Sequence, residues 1–329
     1  MEMPPLRYLS AADVMAAMPG MDERLALAAR TLTALVSDAQ LPPKIGVDPA
    51  AADSFAHAMP AWARGEAADG SGDLLGIKWV VGFPQNAARG LPVISATTIL
   101  SDAVTGMPRV ILDATAVTAL RTAAVSGTAI ARWGPATPGP VAIIGAGVQA
   151  RSHLPVVAHL LPGSEVRLCD RDPDRAASLL REVEHGEHGP LGPTRAVPDA
   201  AQAVEGAALV LTLVSFGPTR QAIPAEAFRP DATVVAVDYD MCVPASVAAS
   251  ADLFLTDDRG QYLANRTASQ FAGYPAAVTM MGEAISAGTP RPQGRVVVTH
   301  LGVGLADVVF ADAILRAADA RGVGTILER

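Results

Sequence analysis

The run VAIIGAGVQAR over residues 141–151 constrains this chain more than any other stretch. A β-branched apolar segment ends there in Gly145, Gly147 and Ala150 at G-x-G-x-x-A spacing, the pattern of a strand that turns directly into a helix. The first glycine permits the tight turn, the second lets backbone approach a diphosphate, and the small third residue lets helix pack on strand. The helix start then faces the ligand with free N–H groups and a partial positive charge. Such turns also occur by chance in long α/β chains, so context decides. The next predicted strand, EVRLCD, ends in Asp170, 25 positions beyond Gly145. A ribose-binding carboxylate is expected roughly 20 residues after the turn. Together these features predict a dinucleotide site. Asp170 would repel a 2′-phosphate and so favours NAD over NADP, an effect that the adjacent Arg171 partly offsets.

The pattern around this turn is strand 141–145, helix 148–161, strand 165–169 and helix 173–184, then a Gly-, His- and Pro-rich loop (185–199) and strands at 208–214, 233–238 and 252–255. Alternation of this kind predicts a doubly wound parallel sheet of Rossmann type. Ahead of it lies the clearest composition break, WGPATPGP, ending at residue 140. The first part of the chain reads differently. Ser10 and Asp13 form a capping box for a short helix, and a second helix is expected over 21–38. Strands follow at 74–83, 92–100 and 109–113 without helices between them, the spacing of an antiparallel or mixed sheet. A long helix covers 115–134, and a last helix, 304–321, carries an apolar face of Val308, Val309, Ala311, Ile314, Leu315 and Ala318 with no sheet partner nearby in sequence. The 329 residues thus divide into a smaller mixed α+β domain (1–125) and a Rossmann domain (126–303).

Composition excludes other classes. A net charge of −8 without a Lys/Arg cluster argues against nucleic acid as a partner. No apolar run approaches the length of a membrane span, and the first residues lack the basic start and apolar core of a secretory leader. Cys169 and Cys242 are isolated and read as reduced thiols of a cytoplasmic protein. The histidines form no metal set. His153 and His159 do not share a helix face, His185 and His188 read as solvated in their loop, and His300 follows a valine strand, where a satisfied core or surface histidine is expected ahead of one that borders the cleft.

The chemistry lies outside the glycine turn. Lys78 in GIKWV and Arg121 in LRTAAVSG are cations in apolar surroundings, which are costly unless paired, and Lys44 follows two prolines in a loop. Each implies an anionic partner, either a substrate carboxylate or an internal ion pair, unless its tip faces solvent. Arg121 has the geometry for a bidentate grip. Asp238 and Asp240 sit at the end of a predicted strand, the ligand side of a parallel sheet, where one carboxylate could handle a proton and the other lie in solvent.

The blocks GIKWVVGFPQN (76–86), GLP (90–92), TILSD (98–102), TG (105–106), LRTAAVSG (120–127) and GAGVQAR (145–151) resemble, in order and spacing, the ornithine cyclodeaminase and μ-crystallin family. The resemblance implies a substrate and dimerisation domain joined to an NAD-binding domain, a C-terminal segment (304–329) that returns to the former, and a homodimer. It implies that Lys44, Lys78 and Arg121 bind the carboxylate of an amino- or imino-acid substrate, and that Asp240, with Lys78, is catalytic. On the cofactor side it implies Arg121, Thr122, Gly145, Gly147, Val148, Gln149, Asp170, Arg171, Val214, Val237 and Gly302. The reaction implied moves hydride between nicotinamide and the substrate α-carbon, as in an imine reductase or amino-acid dehydrogenase. Relatives read close to Gly-Gly-Asp where this chain has VDYD (237–240). Cyclodeaminases continue with Pro-Gly-Lys and an acid, whereas this chain places Pro244 and Ser246 there. Cyclodeamination of ornithine or lysine and non-catalytic NAD(P)H binding stay open as alternatives.

Overall fold

A computed structural model describes residues 4–67, 72–217 and 219–328. The chain forms two compact units, Met1–Arg121 with Gly302–Arg329, and Thr122–Leu301.

The first unit is built on an eight-stranded sheet. Its order is Thr325–Leu327, Leu6–Leu9, Pro108–Asp113, Ile94–Ser101, Leu74–Gly82, Phe55–Ala63 and Ala39–Gln40, with Ile45–Val47 also paired to Phe55–Ala63. The strands at 74–82, 94–101 and 108–113 match the expected ones and pair antiparallel, with Leu6–Leu9 added in parallel. Phe55–Ala63 is a strand that the sequence reading left out, and it carries Pro60, which argues against a paired interior strand. The structure resolves the conflict. One edge of that strand is covered in two patches, at 56–58 and at 62–63, and Pro60 falls in the gap where no N–H is needed. The second helix is shorter than expected, Met21–Ala34. The helix Gly304–Arg321 packs on the inner face of this sheet and on Met21–Ala34, and it is buried on nearly every side rather than along one stripe. Gly304 begins it because a Cβ there would lie 2.6 Å from the Met59 carbonyl oxygen. Along Leu74–Gly82, burial alternates, so Gly76, Lys78 and Val80 point inward while Trp79 on the outer face is 47% exposed.

The second unit is a parallel sheet of eight strands in the order Thr194–Ala196, Val166–Cys169, Val141–Ile144, Leu209–Thr212, Thr233–Ala236, Val296–Thr299, Leu253–Thr256 and Thr279–Met280. Its central strands are fully buried, as strands covered on both faces must be. The chain enters at Val141–Ile144, winds outward to Thr194–Ala196, a strand inside the stretch expected to be loop, and then crosses to Leu209–Thr212. The strand order therefore reverses between Val141–Ile144 and Leu209–Thr212, the place where doubly wound sheets bind ligands. Among the described residues, no helix is long and apolar enough to cross a membrane.

Candidate functional site

The glycine turn lies at this switch point and opens onto a cleft of about 450 Å³. Gly145 has φ +101°, and a Cβ there would meet the Leu213 carbonyl oxygen at 2.7 Å, so both conformation and space demand glycine. Gly147 caps the helix Val148–Leu160 without a side-chain acceptor, and a Cβ there would meet nothing within 4 Å. The first N–H groups of that helix and the open face of Gly147 form a cradle that fits a diphosphate. Asp170 is held between the glycine turn and its own loop, accepting from the Ala146 N–H at 2.7 Å and the Asp172 N–H at 2.9 Å. Gly145, Gly147, Asp170, Arg171 and Val214 line the cleft. Val148 stands exposed at the first helical position, Gln149 turns its carbonyl to His153, and Thr122 and Val237 are not among the lining residues. Arg175 and Asp199 line the same cleft and went unread, since each looks like ordinary helix-start chemistry.

The two aspartates at the sheet end are not on a strand. That strand stops at Ala236, and the chain turns at Tyr239 with φ +61°. Neither carboxylate is simply solvated. Asp238 is 1% exposed and accepts from the Thr212 hydroxyl at 2.6 Å, and burial raises its carboxyl to about 6. The neighbouring Cys242 thiol is pushed well up by burial and by Asp238. Asp240 accepts from the Phe271 N–H at 2.9 Å and pairs with Arg220 at 3.0 Å. A left-handed aromatic residue costs on the order of 1–3 kcal/mol. Here the ring is held by an edge contact with Phe216 at 4.7 Å and stacking on Phe271 at 5.5 Å.

Behind the glycine turn runs a buried polar chain that the sequence reading missed. His153 Nδ1 lies 2.7 Å from the Gln149 carbonyl oxygen, so it carries the proton and donates. Its Nε2 must then accept from the Ser126 hydroxyl at 2.8 Å, and Ser126 Oγ in turn accepts from His300 Nε2 at 2.8 Å. Burial lowers the His153 imidazole to about 3, which keeps that ring neutral. His300, expected as a core or surface histidine, is buried and tied through Ser126 to the helix of the glycine turn. His188, expected in solvent, is buried and faces Glu182 at 3.4 Å.

In the first unit, Lys78 and Arg121 share one counterion. Lys78 Nζ lies 2.7 Å from Asp307 Oδ2, and Arg121 Nε 3.2 Å from Asp307 Oδ1, with all three side chains buried. Two cations on one carboxylate leave a buried excess of positive charge, and Lys44 adds to the field at Lys78. Desolvation, then Arg121, pulls the Lys78 ammonium down to about 7 despite Asp307. Gly302 has φ +80° and packs against the Arg121 guanidinium. The internal ion pair that the sequence left open is therefore real, but it neutralises only half of the charge. Asp307 was missed although one signal existed: an acid inside the apolar helix run GLADVVFADAIL must find a cation once buried.

The sequence profile described as "Ornithine cyclodeaminase/mu-crystallin family" matches residues 9–240. The nodulation efficiency protein NfeD of Rhizobium meliloti is 28% identical over 87% of this chain and 87% of its own. Delta(1)-pyrroline-2-carboxylate reductase 1 of Burkholderia multivorans is 34% identical over 65% of this chain and 67% of its own. Ornithine cyclodeaminase of Brucella abortus is 33% identical, but the match spans 44% of this chain and only 39% of that enzyme. The structure of Thermococcus litoralis Delta(1)-pyrroline-2-carboxylate reductase in complex with NADH and L-proline has the same fold, with a TM-score of 0.82 at 21% identity over 98% of this chain and 100% of that one. The chain belongs to the ornithine cyclodeaminase/mu-crystallin family.

Proposed function

We propose that this chain is an NAD-dependent oxidoreductase of α-imino and α-amino acids, working as an imine reductase on a substrate of the 1-pyrroline-2-carboxylate type. The observation that carries this reading is the buried excess charge at Lys78, Arg121 and Asp307, which calls for a carboxylate anion. Lys78 and Arg121 take the substrate carboxylate, with Lys44 as an outer cation. The cleft at Gly145, Gly147, Asp170, Arg171 and Val214 takes the dinucleotide, with Val148, Gln149, Thr122 and Val237 as further contacts and Arg121 and Gly302 as nicotinamide-side contacts. Bound nicotinamide supplies the hydride for the α-carbon. Asp240 holds or delivers the proton at the substrate nitrogen.

Arg220 favours this reading over cyclodeamination. The Asp240 carboxylate is already paired with a guanidinium, so the side-chain ammonium of ornithine would have to displace it. The reading also includes a homodimer, supported by the apolar outer face that Trp79 presents on the first unit's sheet, and a cytoplasmic location, supported by the buried free thiols Cys169 and Cys242.

Incubation with NADH and 1-pyrroline-2-carboxylate should consume one reduced nicotinamide per imine, while ornithine with catalytic NAD should release no ammonia. Ammonia and proline formed from ornithine without accumulating NADH would overturn the reductase reading in favour of the cyclodeaminase.

The pH dependence follows from Lys78. Its ammonium in the folded chain titrates near 7, below the ordinary 10.5, so the carboxylate site loses a cation as pH rises through that point. KM for the imino acid should be flat below pH 7 and climb above it by up to about tenfold per unit, as loss of one required proton dictates. Lys78→Arg should flatten this rise because a guanidinium stays charged. For stability the sign is opposite. Between about 7 and 10.5 the unfolded chain binds the extra proton, so the cost of burying Lys78 is relieved as pH increases.

A further inference from the structure

We propose that Thr98 donates its hydroxyl to the same carboxylate as Lys78 and Arg121 and is the third ligand of that anion. The inference rests on the carboxylate reading above and extends it to a neutral donor.

Thr98 is fully buried, yet its hydroxyl oxygen has no hydrogen-bond partner among the described residues. Apart from Thr299, other buried threonines do not behave this way. Thr31 donates to the Leu27 carbonyl, Thr212 to Asp238 and Thr233 to the Trp133 carbonyl. Thr98 is orphaned together with Thr299, which ends a strand on the ligand side of the parallel sheet. Burying a hydroxyl without an acceptor is costly, and valine would fill the same space at no such cost. An orphaned donor in a core is therefore a donor kept for something that arrives.

Its position says what arrives. In the antiparallel pairing Thr98 lies directly opposite Lys78, so both side chains leave the sheet on the same inward face. Cβ atoms of such cross-strand partners are about 4.5–5.5 Å apart, which sets the hydroxyl beside the Lys78 side chain, and it makes no bond to Asp307, the carboxylate already on that ammonium. Met59 and Leu112 flank the pair in the same row and offer no polar group. A carboxylate has about four lone-pair sites, more than the two cations need. Asp307, the carboxylate already shared by Lys78 and Arg121, takes no bond from Thr98, whose hydroxyl lacks a hydrogen-bond partner, so the incoming carboxylate is the acceptor left for Thr98.

The full-length chain loaded with NADH is the protein to test, with acetate and L-proline as carboxylate probes read by thermal shift and 1-pyrroline-2-carboxylate as the kinetic substrate. Thr98→Val should melt no lower than wild type without ligand, weaken the carboxylate-dependent shift, and raise KM about tenfold with a far smaller change in kcat, as loss of uniform binding requires. Thr98→Ser should restore most of the affinity. Lys78→Met serves as the reference for a lost carboxylate ligand. Wild-type-like KM and thermal shift in Thr98→Val would overturn the assignment while leaving the carboxylate site intact. Loss of the probe-dependent shift in Thr98→Val, with no reduction of imino acid by wild type, would keep Thr98 and remove the activity. No carboxylate-dependent shift in wild type would remove both.

Discussion

Asp307→Asn is expected to destabilise the folded chain by about 3–5 kcal/mol at pH 7, the cost of removing one partner from a buried ion cluster. The variant leaves Lys78 and Arg121 facing each other in the core with no counterion. That is a large part of the 5–15 kcal/mol that holds an ordinary domain together. The loss should be largest at low pH and level off above about 7, since removing Asp307 lowers Lys78 further and the variant sheds that proton before the wild type does, whereas Arg121 cannot. Denaturant unfolding at pH 6 and pH 9 measures both effects. Lys78→Met placed on Asp307→Asn should recover part of the loss by removing one of the stranded charges, and the double-mutant cycle gives the coupling. A change under about 1 kcal/mol at pH 7 would mean that these charges are not desolvated as their burial indicates.

Asp240→Asn should lower kcat by about 10²–10⁴, the usual contribution of a positioned proton donor or acceptor. Asparagine keeps an oxygen for the Phe271 N–H but loses the charge that pairs with Arg220, so the turn around Tyr239 should hold its shape. NADH affinity, followed by fluorescence titration, should stay within about twofold of wild type, because Asp240 is not among the residues lining the dinucleotide cleft. A collapse of NADH binding would mean that Asp240 supports the cofactor and not the proton, and kcat near wild type would remove it from the chemistry.

The second unit was legible because its determinants are local. A fully buried parallel strand is a short apolar run, and a glycine turn announces itself at fixed spacing, so Val141–Ile144, Val148–Leu160 and Pro173–Glu184 are found where the sequence puts them. The first unit was harder. Phe55–Ala63 combines alanines, a histidine and Pro60, and only the two short strands on its edge explain how a proline is tolerated there. Arg220 and Phe271 reach Asp240 from loops 20 and 31 positions away, contacts that no periodicity encodes.

The sequence by itself determined the dinucleotide half: the strand, the turn, the acid at Asp170 and the alternation that winds the sheet, all set by neighbours within one or two elements. It also marked Lys78 and Arg121 as cations in need of an anionic partner and Asp240 as a carboxylate on the ligand side of the sheet. Only the tertiary structure decided who the partners are. Asp307 meets Lys78 and Arg121 because the helix Gly304–Arg321 returns to the first sheet, and Thr98 is left without an acceptor because of the register that sets it opposite Lys78. The reason is physical: a strand or a turn is a local free-energy choice, whereas a buried charge is balanced by whatever the folded chain brings within a few ångströms.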